Sequence, residues 1–263
     1  MFFSWIKQRR RSRRLSEDIP AEWSDILHTN VPSLQWLSKT DRDWLNRWMQ
    51  VFIPEKYWEG LDGLTISTEI QVTIAAQIGV VVLGFRTDYL DRLRTILVHP
   101  HSQALPRESR HHGVVTEQLS VVHGEALMGG PVRYVWPLVL HGSREPGDGQ
   151  NVVYHEIAHV LDMLDGFIDG TPPLTSASAY RNWETILQTE YDRLVRAVEH
   201  GFGTFLDPYA ATNRGEFFAV STETFFECPH AFMRHHPEWY ACLREFYKQD
   251  PSERIPVSSE KIY

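Results

Sequence analysis

The sequence predicts a predominantly α-helical α+β fold with one small mixed β-sheet, and three observations lead there. Stretches on both sides of the midpoint carry apolar residues at helical spacing. A block from Arg94 to His141 breaks into short β-type runs. Between them, Asn151 to Gly166 places a His-Glu-x-x-His pattern inside an apolar helical repeat. With 263 residues, 42% hydrophobic and 12% aromatic, the chain can fill a sizeable core. No internal repeat or low-complexity linker divides it. One unit over residues 20–255 is therefore expected, flanked by a basic disordered tail at 1–19 and a short tail at 256–263.

Residues 1–14 hold six positive charges and no acid, so the rest of the chain carries −14 against −8 overall. A short apolar cluster (Phe2, Phe3, Trp5, Ile6) precedes the charges and no cleavable apolar run follows, so this is not a secretory signal. The segment reads as a solvated tail, with weak contact to an anionic lipid surface as the alternative. The acidic remainder argues against direct nucleic-acid binding. Cys228 and Cys242 are too few for a disulfide framework and lack CxxC spacing, which fits a reducing, cytoplasmic compartment.

Helices are predicted from Ala21 and from Thr40, the second capped by Thr40 and carrying a core stripe of Trp44, Leu45, Trp48, Val51 and Phe52. Glu55 to Leu64, with Gly60 and Gly63, reads as a turn. The apolar run around Val72 to Phe85 is too short to span a bilayer and reads as a buried core helix. Strands are expected at 95–98, 114–116, 119–122 and 132–136. His99, His101, His111, His112 and His123 fall among them as ordinary loop or surface histidines. The 130–137 run could also serve as an edge that pairs an extended peptide. After residue 166 come a polar loop, a long amphipathic helix to about His200, an irregular link to Asn213, an apolar helix from Gly215 to Glu227, and two shorter helices.

The chemistry concentrates in the helix before Gly166. Residues four apart on a helix share a face with Cβ atoms about 5–6 Å apart, so His155 and His159 can present imidazole nitrogens to one metal ion, and neutral imidazole suits zinc. Glu156 falls beside that stripe, placed to act on water. A catalytic zinc takes three protein ligands, and the longer His-x-x-Gly-x-x-His extension is absent, with Asp162 and Asp165 in its places. A carboxylate from a later helix is the remaining common solution. Glu216 and Glu223 share an apolar helical face, and spacing alone does not separate them: either could bind metal while the other orients a ligand histidine. Asp162 is a further candidate for fixing an imidazole tautomer.

Three stretches together resemble the Mlc titration factor A (MtfA) family of bacterial zinc peptidases, in the gluzincin group. They are Asn151-Val-Val-Tyr-His-Glu-Ile-Ala-His-Val-Leu-Asp, Asp207-Pro-Tyr-Ala-Ala-Thr-Asn-Arg-Gly-Glu-Phe-Phe-Ala-Val, and Phe225-Phe-Glu-Cys-Pro with the closing Phe246-Tyr-Lys-Gln-Asp-Pro. The resemblance covers about residues 20–255 and implies a zincin-like domain in which His155, His159 and Glu216 bind one zinc ion. It further implies Glu156 as catalytic base, Tyr209 as stabiliser of the transition state, aminopeptidase action on short peptides, and binding of an Mlc-type repressor. The rival reading is an interaction protein that sequesters such a repressor and whose zinc site is structural or regulatory.

Overall fold

Twelve of the fifteen residues of one helix, Thr68–Val82 (α4), are buried, and the remaining elements are arranged around it. A helix apolar on all sides must be enclosed by protein or lipid. Among the described residues, Thr68–Phe85 is the one stretch long and apolar enough to cross a membrane, and 72% of it lies inside the protein as a core helix. Ser67 caps it, its Oγ accepting from the Ile70 amide at 3.3 Å. This computed structural model describes residues 2–85, 90–101 and 130–261.

Around α4 lie α1 (Phe2–Leu15), α2 (Glu22–Asn30), α3 (Lys39–Glu55) and α5 (Trp136–Arg144). On the site's side lie α6 (Val152–Asp162), α7 (Ala177–Glu199), α8 (Arg214–Glu227), α9 (Pro229–His235) and α10 (Pro237–Tyr247). The molecule is therefore mostly helical. Helix α3 is capped by Ser38, which accepts from the Asp41 amide at 3.1 Å, and not by Thr40. The cap lies two residues earlier because Thr40 already sits within the first turn.

The sheet has the order β1-β2-β3, from β1 (Tyr57–Gly60), β2 (Thr95–His99) and β3 (Val132–Val135). Tyr57 stands opposite Thr95, and Ile96 opposite Val132. Parallel neighbours need a crossover, and α4 provides it between β1 and β2. Both pairings are parallel, so the sheet shows no antiparallel member among the described residues; the strands expected at 114–116 and 119–122, with His111, His112 and His123, lie outside them. Strand β1 falls where a turn was expected, because four residues ending in Gly60 are too few for a readable alternation. His99 is buried and its Nδ1 lies 3.1 Å from Asp62 Oδ2, so it is no surface histidine. Helix α5 was not foreseen: Pro137 in its first turn reads as a strand breaker in sequence, yet it suits a helix start.

Both terminal segments differ from the expected tails. Residues 2–15 form α1, tied down by a forked pair in which Arg11 Nε and Nη2 donate to Glu55 Oε1 and Oε2 at 2.8 and 2.6 Å, with Asp91 bridging to Lys7 at 2.8 Å. The charge run reads as solvated in sequence because these acids lie 44 and 80 residues away. At the other end, Glu260 accepts from the His230 and Ala231 amides at 2.7 and 3.0 Å, and the Lys261 amide donates to the Gly147 carbonyl at 2.6 Å.

Close packing of α3 on α4 requires a glycine. A Cβ on Gly79 would meet Leu45 Cδ1 at 2.2 Å and Trp48 Cε3 at 3.2 Å, both fully buried side chains. Gly79→Ala gains about 1 kcal/mol of helix propensity but forces repacking that costs about 1–3 kcal/mol. A net loss of stability is expected in urea unfolding, and a variant at least as stable as the parent would show that the two helices can separate freely.

Candidate metal centre

Two antiparallel demands meet where α6 packs against α8: histidines must face carboxylates, and each polar group must be satisfied away from water. Helix α6 begins at Asn151, whose Oδ1 accepts from the Val153 and Tyr154 amides at 3.1 and 3.2 Å. This cap fixes the helical phase that turns His155 and His159 toward α8. Helix α8 begins at Asn213, whose Oδ1 accepts from the amide of Glu216 itself at 2.9 Å. Each candidate ligand helix is thus started by an Asn a few residues before its chemistry.

His155 Nε2 lies 3.1 Å and His159 Nε2 3.3 Å from Glu216 Oε2, and the two Nε2 atoms are 3.2 Å apart. These three residues form the one group among the described residues whose ligand atoms converge as a metal site would require. Glu223 does not join the triangle. Its Oε1 lies 2.8 Å from His155 Nδ1 and its Oε2 accepts from the Asn151 amide at 2.5 Å. The alternatives left open by spacing are therefore separated in space: Glu216 faces both imidazoles and Glu223 backs one of them.

The donor set fits a divalent cation. A carboxylate at Nδ1 accepts a hydrogen bond from the N–H of neutral His155, which holds the proton on Nδ1 and leaves Nε2 a lone pair. That lone pair then faces another imidazole nitrogen and the Glu216 oxygen, which is buried and accepts no hydrogen bond. Three acceptors at 3.1–3.3 Å repel unless a cation lies among them. Tetrahedral zinc with bonds of about 2.0–2.2 Å sets its donors about 3.3–3.6 Å apart, close to this triangle.

Glu156 follows His155 on α6 and is raised by burial, opposed by the neighbouring imidazoles. Tyr209 lies in a short 3-10 turn, Pro208–Ala211, begun by Asp207, which accepts from the Tyr209 amide at 2.8 Å. Its ring centre is 6.4 Å from that of His155. Asp162, at the end of α6, is buried. Its Oδ2 accepts from the Gly170 amide at 2.9 Å, while the Nδ1 of His159 is buried with no hydrogen-bond partner. The loop after α6 brings the Gly170 amide onto Asp162 Oδ2, while Asp162 Oδ1 is buried with no hydrogen-bond partner.

Sequence reasoning missed the clamp beneath the site. Glu227 lies one turn beyond Glu223 on α8; its Oε2 accepts from the Gly147 amide at 2.6 Å and its Oε1 from Asn151 Nδ2 at 3.2 Å. Glu223 and Glu227 together hold the residue that caps α6. The available signals were the Asn immediately before the helix and an acid inside a Phe-rich run.

Comparison with known proteins shows what the chain is similar to. A family model described as glucose-regulated metallo-peptidase M90 matches residues 5–248. An uncharacterized protein of Synechocystis sp. is 33% identical over 249 residues, covering 94% of this chain and 90% of its own. Proteins named Mlc titration factor A are similar as well. The one from Klebsiella pneumoniae is 30% identical, covering 86% of this chain and 85% of its own length, and the one from Salmonella paratyphi A is 28% identical, covering 94% and 92%.

The clamp carries a pH signature of its own. Burial pushes the Glu227 carboxyl from 4.5 up to about 8, against the Gly147 amide and Asn151, which favour its ionised form. A carboxyl whose folded pKa exceeds its unfolded one binds more protons when folded. Its contribution to stability is present below the unfolded value and is lost as pH rises from about 4.5 to about 8. Glu227→Gln should flatten that part of the profile, read as urea midpoints at several pH values; an unchanged slope would show that the carboxyl titrates normally.

Proposed function

The chain belongs to the glucose-regulated metallo-peptidase family M90, and from that premise we propose that it is a zinc-dependent aminopeptidase of short peptides, one zinc per chain, acting in the cytoplasm. The observation that carries the reading is the convergence of His155, His159 and Glu216, a set suited to zinc, with Glu156 next to one of the ligands in sequence. The unit proposed to act is residues 20–255.

When bound by these three side chains, zinc supplies Lewis-acid polarisation of the scissile carbonyl and makes water more acidic. The rest is work for this chain's own residues. Glu156 takes the proton from the attacking water and passes it to the leaving amine; burial, by weakening its acidity, makes it a better base than an exposed carboxylate. Tyr209 donates a hydrogen bond to the oxygen where negative charge develops. Glu223 fixes the His155 tautomer by accepting a hydrogen bond from its Nδ1–H, and the same carboxylate steadies the cap of α6.

A second reading follows from the relatives named Mlc titration factor A. In it the chain binds an Mlc-type repressor, with the metal structural or regulatory. Two free, buried cysteines are in keeping with a reducing compartment for either reading. A pull-down with a repressor of that class, with and without chelator, separates them: cleavage should stop on chelation, while sequestration through a surface should persist.

Glu156→Gln should keep about one zinc per chain and lower peptide turnover about 100- to 10,000-fold; full turnover in that variant would end the assignment. Peptides with free and acetylated N-termini, compared in parallel, decide between amino- and endopeptidase action. Glu223→Ala should weaken zinc binding about 10- to 100-fold in a competition titration, since the ligand imidazole loses its support. Unchanged affinity would restrict Glu223 to capping.

A further inference from the structure

Helix α1 has two faces of unlike fate. Lys7 and Arg11, one turn apart, turn inward to Asp91 and Glu55. Trp5, Arg9 and Arg13 stand at i, i+4 and i+8 and form a stripe on the opposite side. All three are exposed, as is Arg10, and Trp5 keeps 56% of its surface in solvent with the Arg9 guanidinium 5.4 Å from its ring centre. Arg9 and Arg10 have no carboxylate within ion-pair distance among the described residues, and the nearest acid to Arg13 is Glu17, at 3.7 Å and itself exposed.

That arrangement costs stability in water. Arg9 and Arg13, and Arg10 and Arg14, are like charges at i and i+4, each pair unfavourable on an isolated helix. The residues after the first fourteen carry a net −14, so this helix is a net-positive segment on an acidic body. A stripe of arginines flanking an exposed indole suits a surface that offers anionic groups above an apolar layer, because the cations meet headgroups while the amphipathic ring enters the interface. A duplex offers phosphate but no layer for the indole, and the acidic body would oppose it along its length.

We propose that the outer face of α1, Trp5, Arg9, Arg10 and Arg13, is a docking surface for anionic phospholipid bilayers, which brings the protein reversibly to a membrane. The contact is peripheral: one short helix lies in the interface and no segment crosses. Because Lys7 and Arg11 are already committed to the protein, the helix need not detach in order to bind.

The test uses the full-length protein in flotation with vesicles of phosphatidylcholine alone or with about one-third phosphatidylserine. Retention should be at least about ten-fold greater on the anionic vesicles and should fall with added salt. The triple variant Arg9→Gln, Arg10→Gln, Arg13→Gln should lose about 100-fold, at about five-fold per arginine, and Trp5→Ala should weaken binding at every salt concentration. Peptide turnover should be unchanged in both variants, since none of these residues belongs to the metal centre, and the melting temperature of the triple variant should be no lower than the parent's, since the like-charge pairs are gone. Equal retention on both kinds of vesicle, or a triple variant that binds as well as the parent, overturns the proposal. So does tighter binding to a single-stranded or duplex oligonucleotide than to the anionic vesicles.

Discussion

Three lone-pair donors forced to within 3.1–3.3 Å of one another set the terms for the rest of the molecule. Such a cluster is unfavourable by itself and is held only if both helices that carry it are fixed in phase, tilt and separation. The fixing comes from carboxylates in unusual surroundings. Glu223 and Glu227 sit on a helix otherwise filled with Phe217, Phe218, Phe225 and Phe226, and each is buried. An unpaired buried carboxylate costs several kcal/mol, so both are satisfied by amide donors from the start of α6 and the loop before it. The polar groups that shape the centre are thereby the same ones that lock α6 to α8.

The aromatic packing behind α8 has the complementary role. Trp183 of α7 stacks edgewise on Trp239 of α10 at 4.6 Å and on Phe218 at 5.7 Å, and Tyr247 lies against Phe218, Phe225 and Phe226. Edge-to-face contacts of this kind define orientation as well as contribute area. A ligand helix backed by large, fully buried rings cannot roll about its axis, and a roll of one residue would carry Glu216 away from both imidazoles. The apolar α4, packed against α6 from the other side, closes the sandwich.

Much of this was legible in the sequence, and the residues show why. His155, Glu156 and His159 were readable because their chemistry is local: one helix, one turn, one phase. Helices α4, α7 and α8 were readable from periodicity or from sustained apolar content. What escaped depends on distant partners. Arg11 looks solvated until Glu55 and Asp91 are beside it, and an acid at 227 in a Phe-rich run does not by itself reveal that the Gly147 amide is its partner. Spacing could not choose between Glu216 and Glu223, since the choice depends on how far α8 slides along α6. Strand β1 escaped for another reason, being so short that only its pairing with β2 defines it.

Gly147 ties the far end of the chain into this machinery. Its amide serves Glu227, its carbonyl accepts from both Cys228 Sγ and the Lys261 amide, and a side chain there would strike the Ser259 carbonyl at 1.9 Å. For anyone handling the protein, residues 256–261 are then poor ground for an affinity tag, a fusion junction or a trimmed boundary. Engineering there reaches through one glycine to the cap of the histidine helix, whereas an equal alteration on the exposed turn at Gly201–Gly203, where added side chains meet nothing, leaves that path alone.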